Sequence, residues 1–121
     1  METFSRYYTA LRAIEIRFPV SSDPSHVSIN FKWNDAFRDT QSCSQKNIYL
    51  EQAAIVFCMA AISSQKGVDV NRTSLQGIAE AVKSFAMSAG TSVGVGMHVS
   101  ARLQAHLFSS QLCCMSLFLA G

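Results

Sequence analysis

The chain has 121 residues, a mass of 13.2 kDa and a formal net charge of +2. Hydrophobic residues make up 49% and charged residues only 15%, against roughly 25% charged in an ordinary globular domain. That balance excludes a disordered chain, which needs low hydrophobicity and high net charge. A pI of 8.4 is too mild for the dense basic footprint of a nucleic-acid binder.

The length suits one small domain. Its charge is unevenly spread: over residues 84–121 the only formal charge is Arg102. A surface helix of a small monomer ordinarily carries a charged face, so this third of the chain is expected to lie against something: more protein, a partner or a bilayer. The first residues, Met1-Glu2-Thr3-Phe4-Ser5-Arg6, lack the basic start and compact apolar run of a secretory signal. On that reading the four cysteines are reduced thiols in the cytosol, and the sequon Asn71-Arg72-Thr73 is inert.

In chain order, Phe4, Tyr7, Tyr8, Leu11 and Ile14 recur at helical spacing, with Thr3 as N-cap and Pro19 as terminator. Residues 21–25, Ser-Ser-Asp-Pro-Ser, are turn chemistry. Val27, Ile29, Phe31 and Trp33 alternate with polar residues and predict a strand, for which no clear partner follows. Residues 47–66 form the strongest helical pattern, with Ile48, Ala54, Ile55, Phe57, Cys58, Ala61 and Ile62 as its apolar face and Gly67 placed as a left-handed stop. Thr73 or Ser74 caps a second helix whose stripe is Leu75, Ile78, Val82, Phe85, Ala86 and Ala89, and which Gly90 closes. The short link between these helices predicts an antiparallel hairpin. Gly90, Gly94 and Gly96 read as a loose connection to a last helix from about His98 towards Leu119, amphipathic at first and then apolar nearly all round.

Sites for chemistry are sparse. His98 and His106 are too far apart for a helical zinc pair, and the cysteines at 43, 58, 113 and 114 form no CxxC motif. Cys58, in mid-stripe, reads as a small core hydrophobe. The glycines at 90, 94 and 96 follow no strand and lack the lysine of a phosphate loop. No catalytic, cofactor or metal site is expected, and the chain is read as a non-enzyme. Residues 103–121 carry no formal charge over about the length of a membrane span. They include Gln104, His106, Ser109, Ser110, Gln111 and Ser116, which argue for burial against protein rather than lipid.

Three runs stand in order along the chain: Ile29-Asn30-Phe31-Lys32-Trp33-Asn34-Asp35-Ala36-Phe37, then Leu50-Glu51-Gln52-Ala53-Ala54-Ile55-Val56-Phe57 with Ala60-Ala61-Ile62-Ser63-Ser64-Gln65, then Phe85-Ala86-Met87-Ser88-Ala89-Gly90. With them, residues 7–90 resemble a Bro-type domain, the helical domain of ALIX and its relatives in endosomal sorting. Ala13-Ile14-Glu15 with Phe18-Pro19 also fits, and residues 17–27 are most similar to the small stand-alone Bro-domain proteins of plants. Cys58 departs from the family's usual asparagine, and Thr91-Ser92 from its aromatic.

The resemblance implies a mainly α fold: antiparallel helical hairpins in a tetratricopeptide-like layer with a short N-terminal β-strand or hairpin. It also implies a single partial Bro-type domain over residues 1–121, truncated relative to the family, with residues 91–121 as a divergent C-terminal helix. The implied function is that of a non-catalytic adaptor in endosomal sorting, cytoplasmic and peripheral to endosomes. Its expected partner is the C-terminal amphipathic helix of an ESCRT-III subunit, held in an apolar groove. Leu112, Met115, Phe118 and Leu119 are the candidate groove residues. The alternative is a membrane-associated helical fragment using the uncharged C-terminal helix, and the exposed apolar surface also allows self-association.

Overall fold

A computed structural model describes residues 1–34 and 40–104, with side chains as far as residue 94. The elements run α1 (Glu2–Arg17), β1 (Phe31–Asn34), β2 (Ser42–Gln45), α2 (Ile48–Asp69) and α3 (Leu75–Gln104). The mainly helical architecture with a small antiparallel sheet is the one the family resemblance implies.

Helix α1 presents Phe4, Tyr8 and Leu11 inward, one line at helical spacing. The cap differs from expectation: Met1 holds the N-cap position without a side-chain hydrogen bond, and Thr3 lies inside the helix. The stop is as expected. Phe18, ahead of Pro19, turns extended at φ −133° and ψ 103°. The chain then loops back on itself, with Val20 bridging Val27 in parallel and Val27 N–H donating to the Pro19 carbonyl at 3.0 Å.

The strand is shorter than its alternation suggested, because Val27 and Ile29 stay exposed and ladder pairing begins at Phe31. Its partner is β2, in register Phe31 with Gln45 and Trp33 with Cys43. Ser-Cys-Ser-Gln carries no apolar alternation, so nothing in its pattern marked it as a strand. Cys43 is disulfide-bonded, where four reduced thiols were expected, and Cys58 is a free thiol. Local cysteine spacing does not fix pairing, so the sequence carried no sign of this bond.

Helix α2 is capped by Asn47, whose side chain accepts from the Tyr49 N–H at 2.9 Å. From Ile48 to Ile55 every residue except the half-buried Tyr49 is buried. Leu11, Val20, Ile48 and Ile55 form the core, with Phe4, Tyr8, Phe31, Trp33 and Tyr49 packed around it. Gly67 does not end the helix, which runs on to Asp69 with no positive φ at any described glycine. It is a packing position instead: a Cβ there would lie 3.0 Å from the Phe85 ring.

The link to α3 is short, so the two helices form the expected antiparallel hairpin, tied at the side by Lys66 Nζ and Glu80 Oε1 at 3.2 Å. Ser74 caps α3, its Oγ accepting from the Gly77 N–H at 3.1 Å. Gly77 is demanded by the link, since a Cβ there would sit 1.8 Å from the Asn71 carbonyl oxygen. Two expectations for α3 are corrected. Gly90, Gly94 and Gly96 lie inside one continuous helix of 30 residues, so neither the stop nor the loose connection exists. Isolated glycines weaken a helix by about 1 kcal/mol each but do not break it.

The second correction concerns the face of α3 that packs. Gly77, Ala81 and Ser84 are buried, with Ser88 and Thr91 half-buried, at alternating spacings of four and three. On α2 the buried line over the same stretch is Ala60, Ser63 and Gly67, and the Phe85 ring packs against Gly67. The other large apolar residues face outward, Leu75 being 87% exposed, Val82 61% and Val93 62%.

Candidate functional site

Two features of the described residues are candidates for function. One is a polar cluster that joins α1, β1 and α2. The other is the uncovered apolar face of α3.

The cluster is built on Glu51, placed one turn into α2 where the helix is most enclosed. One carboxylate oxygen accepts from the Tyr7 hydroxyl at 2.9 Å, the other from Trp33 Nε1 at 2.7 Å. Beside it, Glu15 Oε2 accepts from Gln52 Nε2 and from Arg12 Nη1, both at 2.9 Å. A buried carboxylate is tolerated only with such donors, and hydrogen bonds to an ionised acceptor are among the stronger ones. Burial, then the Glu51 hydrogen bond and charge, hold the Tyr7 phenol above its ordinary value of 10. Burial, then the charge of Glu51, raise the Cys58 thiol above 9. A raised thiol is a poor nucleophile. The arrangement fastens one helix and one strand to α2.

The open face of α3 comprises Leu75, Ile78, Val82, Ala89 and Val93 over about five turns, with Phe85 at its edge, its ring against Gly67 of α2. No formal charge interrupts it. Its charged neighbours Glu80 and Lys83 lie to the side, Glu80 turned towards Lys66.

The candidate groove residues Leu112, Met115, Phe118 and Leu119 lie outside the described residues, as do His106, Cys113 and Cys114. Nearly all of the uncharged segment 103–121 does so too. Among the described residues no three His, Cys, Asp or Glu side chains gather as a metal site. His26 is held in the turn, its Nδ1 2.8 Å from Ser21 Oγ. Among the described residues one helix, α2, is long and apolar enough to cross a bilayer, and half of that stretch is buried in the protein. The sequence did not reveal the Tyr7–Glu51–Trp33 connection, because residues 44 and 18 positions apart leave no local signal.

Comparison with known proteins decides the family. The BRO1-like domain profile matches residues 1–115. The chain belongs to the BRO1-like domain family. Vacuolar-sorting protein BRO1 of Arabidopsis thaliana is 41% identical over 85 residues, which is 69% of this chain and 10% of that protein. ALG-2 interacting protein X of Dictyostelium discoideum is 35% identical over 85 residues, 70% of this chain and 10% of that one. Rhophilin-2-B of Xenopus laevis is 39% identical over 90 residues, 74% and 13%. The chain thus spans about a tenth of the length of these curated relatives. No solved structure matches it. Within the BRO1-like frame the motif residues acquire a physical role. The strand tryptophan and the helix glutamate, Trp33 and Glu51, are hydrogen-bonded to one another and lock the sheet onto the central helix.

Proposed function

We propose that this chain acts in endosomal sorting as a non-catalytic docking module, cytoplasmic and peripheral to endosomes. Its proposed ligand is an amphipathic helix from the C-terminus of an ESCRT-III subunit, laid along an apolar groove by anchors at i, i+3, i+4 and i+7. Family membership supports the sorting role, through relatives named for vacuolar sorting. The observation that carries the docking role is the uncharged, outward-facing stripe of α3, with Val82 near its middle and Val93 at its end. A contiguous apolar face of this kind on a small domain marks an interaction surface. Leu112, Met115, Phe118 and Leu119 are proposed to extend the groove.

Titration of a labelled ESCRT-III C-terminal helix into the purified chain tests the reading. Binding in the micromolar range that Val82→Asp and Ile78→Asp abolish, with circular dichroism unchanged, is the expected result. No binding at high micromolar helix would refute it. Retained binding in Val82→Asp together with loss in Phe118→Asp would move the groove to the C-terminal segment.

A further inference from the structure

We propose that Tyr7 is a phosphorylation site, and that a phosphate there undocks α1 from α2. The inference is independent of the partner proposed above, because it rests on the polar cluster and not on the α3 face.

The three tyrosines of the chain differ in access. Tyr8 and Tyr49 pack against the core, whereas Tyr7 is 42% exposed. Tyr7 also lies within the first two turns of α1. Local opening is how a helical residue reaches a kinase. The hydroxyl has one partner in view, Glu51 Oε1 at 2.9 Å. That bond requires the phenol to donate a proton to a carboxylate. Phosphorylation removes the proton for good.

The step is a phosphoryl transfer from a nucleoside triphosphate bound to a tyrosine kinase. The phenol oxygen forms a bond to the γ-phosphorus, and the bond from that phosphorus to the β-bridging oxygen breaks. Its electron pair departs with the nucleoside diphosphate, and the phenolic proton goes to the kinase's base. The product carries a charge of about −1.5 to −2 at neutral pH beside the Glu51 carboxylate. A donor–acceptor contact becomes a repulsive one, and the added oxygens no longer fit the former spacing. Glu51 cannot retreat, because its other oxygen holds Trp33 Nε1. Helix α1 is the side that yields. It is fastened to α2 by the Leu11 cluster and by the Tyr7 and Glu15 hydrogen bonds, while the α2–α3 hairpin uses none of them.

The test treats the purified chain with a tyrosine kinase and magnesium ATP, maps phosphate by mass spectrometry and follows amide exchange. Phosphate on Tyr7 ahead of Tyr8 and Tyr49 is expected, with exchange over residues 2–17 about tenfold faster and residues 75–94 unchanged. In Glu51→Gln the same modification is expected to accelerate exchange by less than about threefold, since the opposing charge is gone. Tyr7→Glu beside Tyr7→Phe provides the same comparison without a kinase: the glutamate variant is expected to exchange several-fold faster in α1. Absence of phosphate on Tyr7, equal acceleration in Glu51→Gln, or equal rates in Tyr7→Glu and Tyr7→Phe would each overturn the proposal.

Discussion

Along residues 48–55, α2 is enclosed by α1, the sheet and α3, and large side chains and a charged hydrogen-bond cluster fill the space. Along residues 60–67 its buried residues are only alanine, serine and glycine, and the edge of the Phe85 ring of α3 lies against Gly67. The first region gains stability from burial of bulk, the second from close approach of two backbones. Bulk tolerates loss poorly, because it leaves a cavity. Close approach tolerates gain poorly, because there is no room to add an atom. The buried hydroxyl of Ser63 fits the second region by donating to the Met59 carbonyl of its own helix at 3.0 Å, so no partner across the interface is needed.

The sharpest way to break this contrast is Gly77→Ala. By helix propensity alone alanine should stabilise α3 by about 1 kcal/mol. The added methyl would overlap the Asn71 carbonyl at 1.8 Å, and a backbone atom cannot swing aside. A net loss of about 3 kcal/mol is expected from chemical denaturation, with the hairpin link displaced. A stabilised variant would mean that the link does not cross the helix there. Gly67→Ala is its control: the 3.0 Å neighbour is the partly exposed Phe85 ring, which can rotate, so the change should stay within about 1 kcal/mol.

Glu51→Ala addresses the first region. It strands the Tyr7 hydroxyl and the Trp33 indole N–H, both part-buried, and should cost about 2–3 kcal/mol. Glu51→Gln keeps one acceptor oxygen and should cost about half as much. The losses should appear first as faster amide exchange in α1 and β1, with α3 least affected. Uniform loosening of all three helices would show that the cluster does not separate the two regions.

An alkaline titration reports on the same cluster. The Tyr7 phenol and the Cys58 thiol are both held above their ordinary values, first by burial and then by Glu51. Each therefore stabilises the fold while protonated. That contribution is complete below pH 9 for the thiol and below pH 10 for the phenol, and is lost as pH rises through the folded-state values. The melting temperature should fall on the alkaline side, and Tyr7→Phe with Cys58→Ala should flatten that limb. An alkaline limb of unchanged steepness would place the titration elsewhere.

Much of the first region was legible in the sequence. Of the periodic set in α1, Phe4, Tyr8 and Leu11 form its inner face while Tyr7 and Ile14 stay exposed; Pro19 marked its end, and Phe31 and Trp33 the strand. The resemblance fixed the order of elements and singled out Trp33 and Glu51 before their hydrogen bond was seen. The hairpin partner β2 was not legible, because Ser42–Gln45 pairs by backbone and carries no hydrophobic signal. The second region misled in a systematic way. Period analysis ranks positions by hydrophobicity, so it chose Ile78, Val82 and Phe85 as the buried stripe of α3. Of these, Phe85 does reach Gly67 of α2, but Ile78 and Val82 face outward, and the buried positions of the helix are the small Gly77, Ala81 and Ser84. Gly67 and Gly90 read as punctuation, whereas Gly67 lies against the Phe85 ring and Gly77 sets the link distance.

Val82→Lys is expected to have the smallest effect on the fold and to discriminate most between the two readings of α3. If the apolar stripe were the core face, a lysine at its centre would unfold a domain of this size, because a charge would be buried without a partner. With Val82 61% exposed, the ammonium reaches water and stability should change by no more than about 0.5 kcal/mol. Ala81→Lys, one residue away and 3% exposed, is the opposite case and should prevent the hairpin from closing. The pair also separates folding from docking, since a stripe kept apolar without contributing to the fold is kept for a surface yet to be covered. A Val82→Lys chain that melts normally but no longer binds its helix would assign the large residues of α3 to recognition and the small ones to architecture.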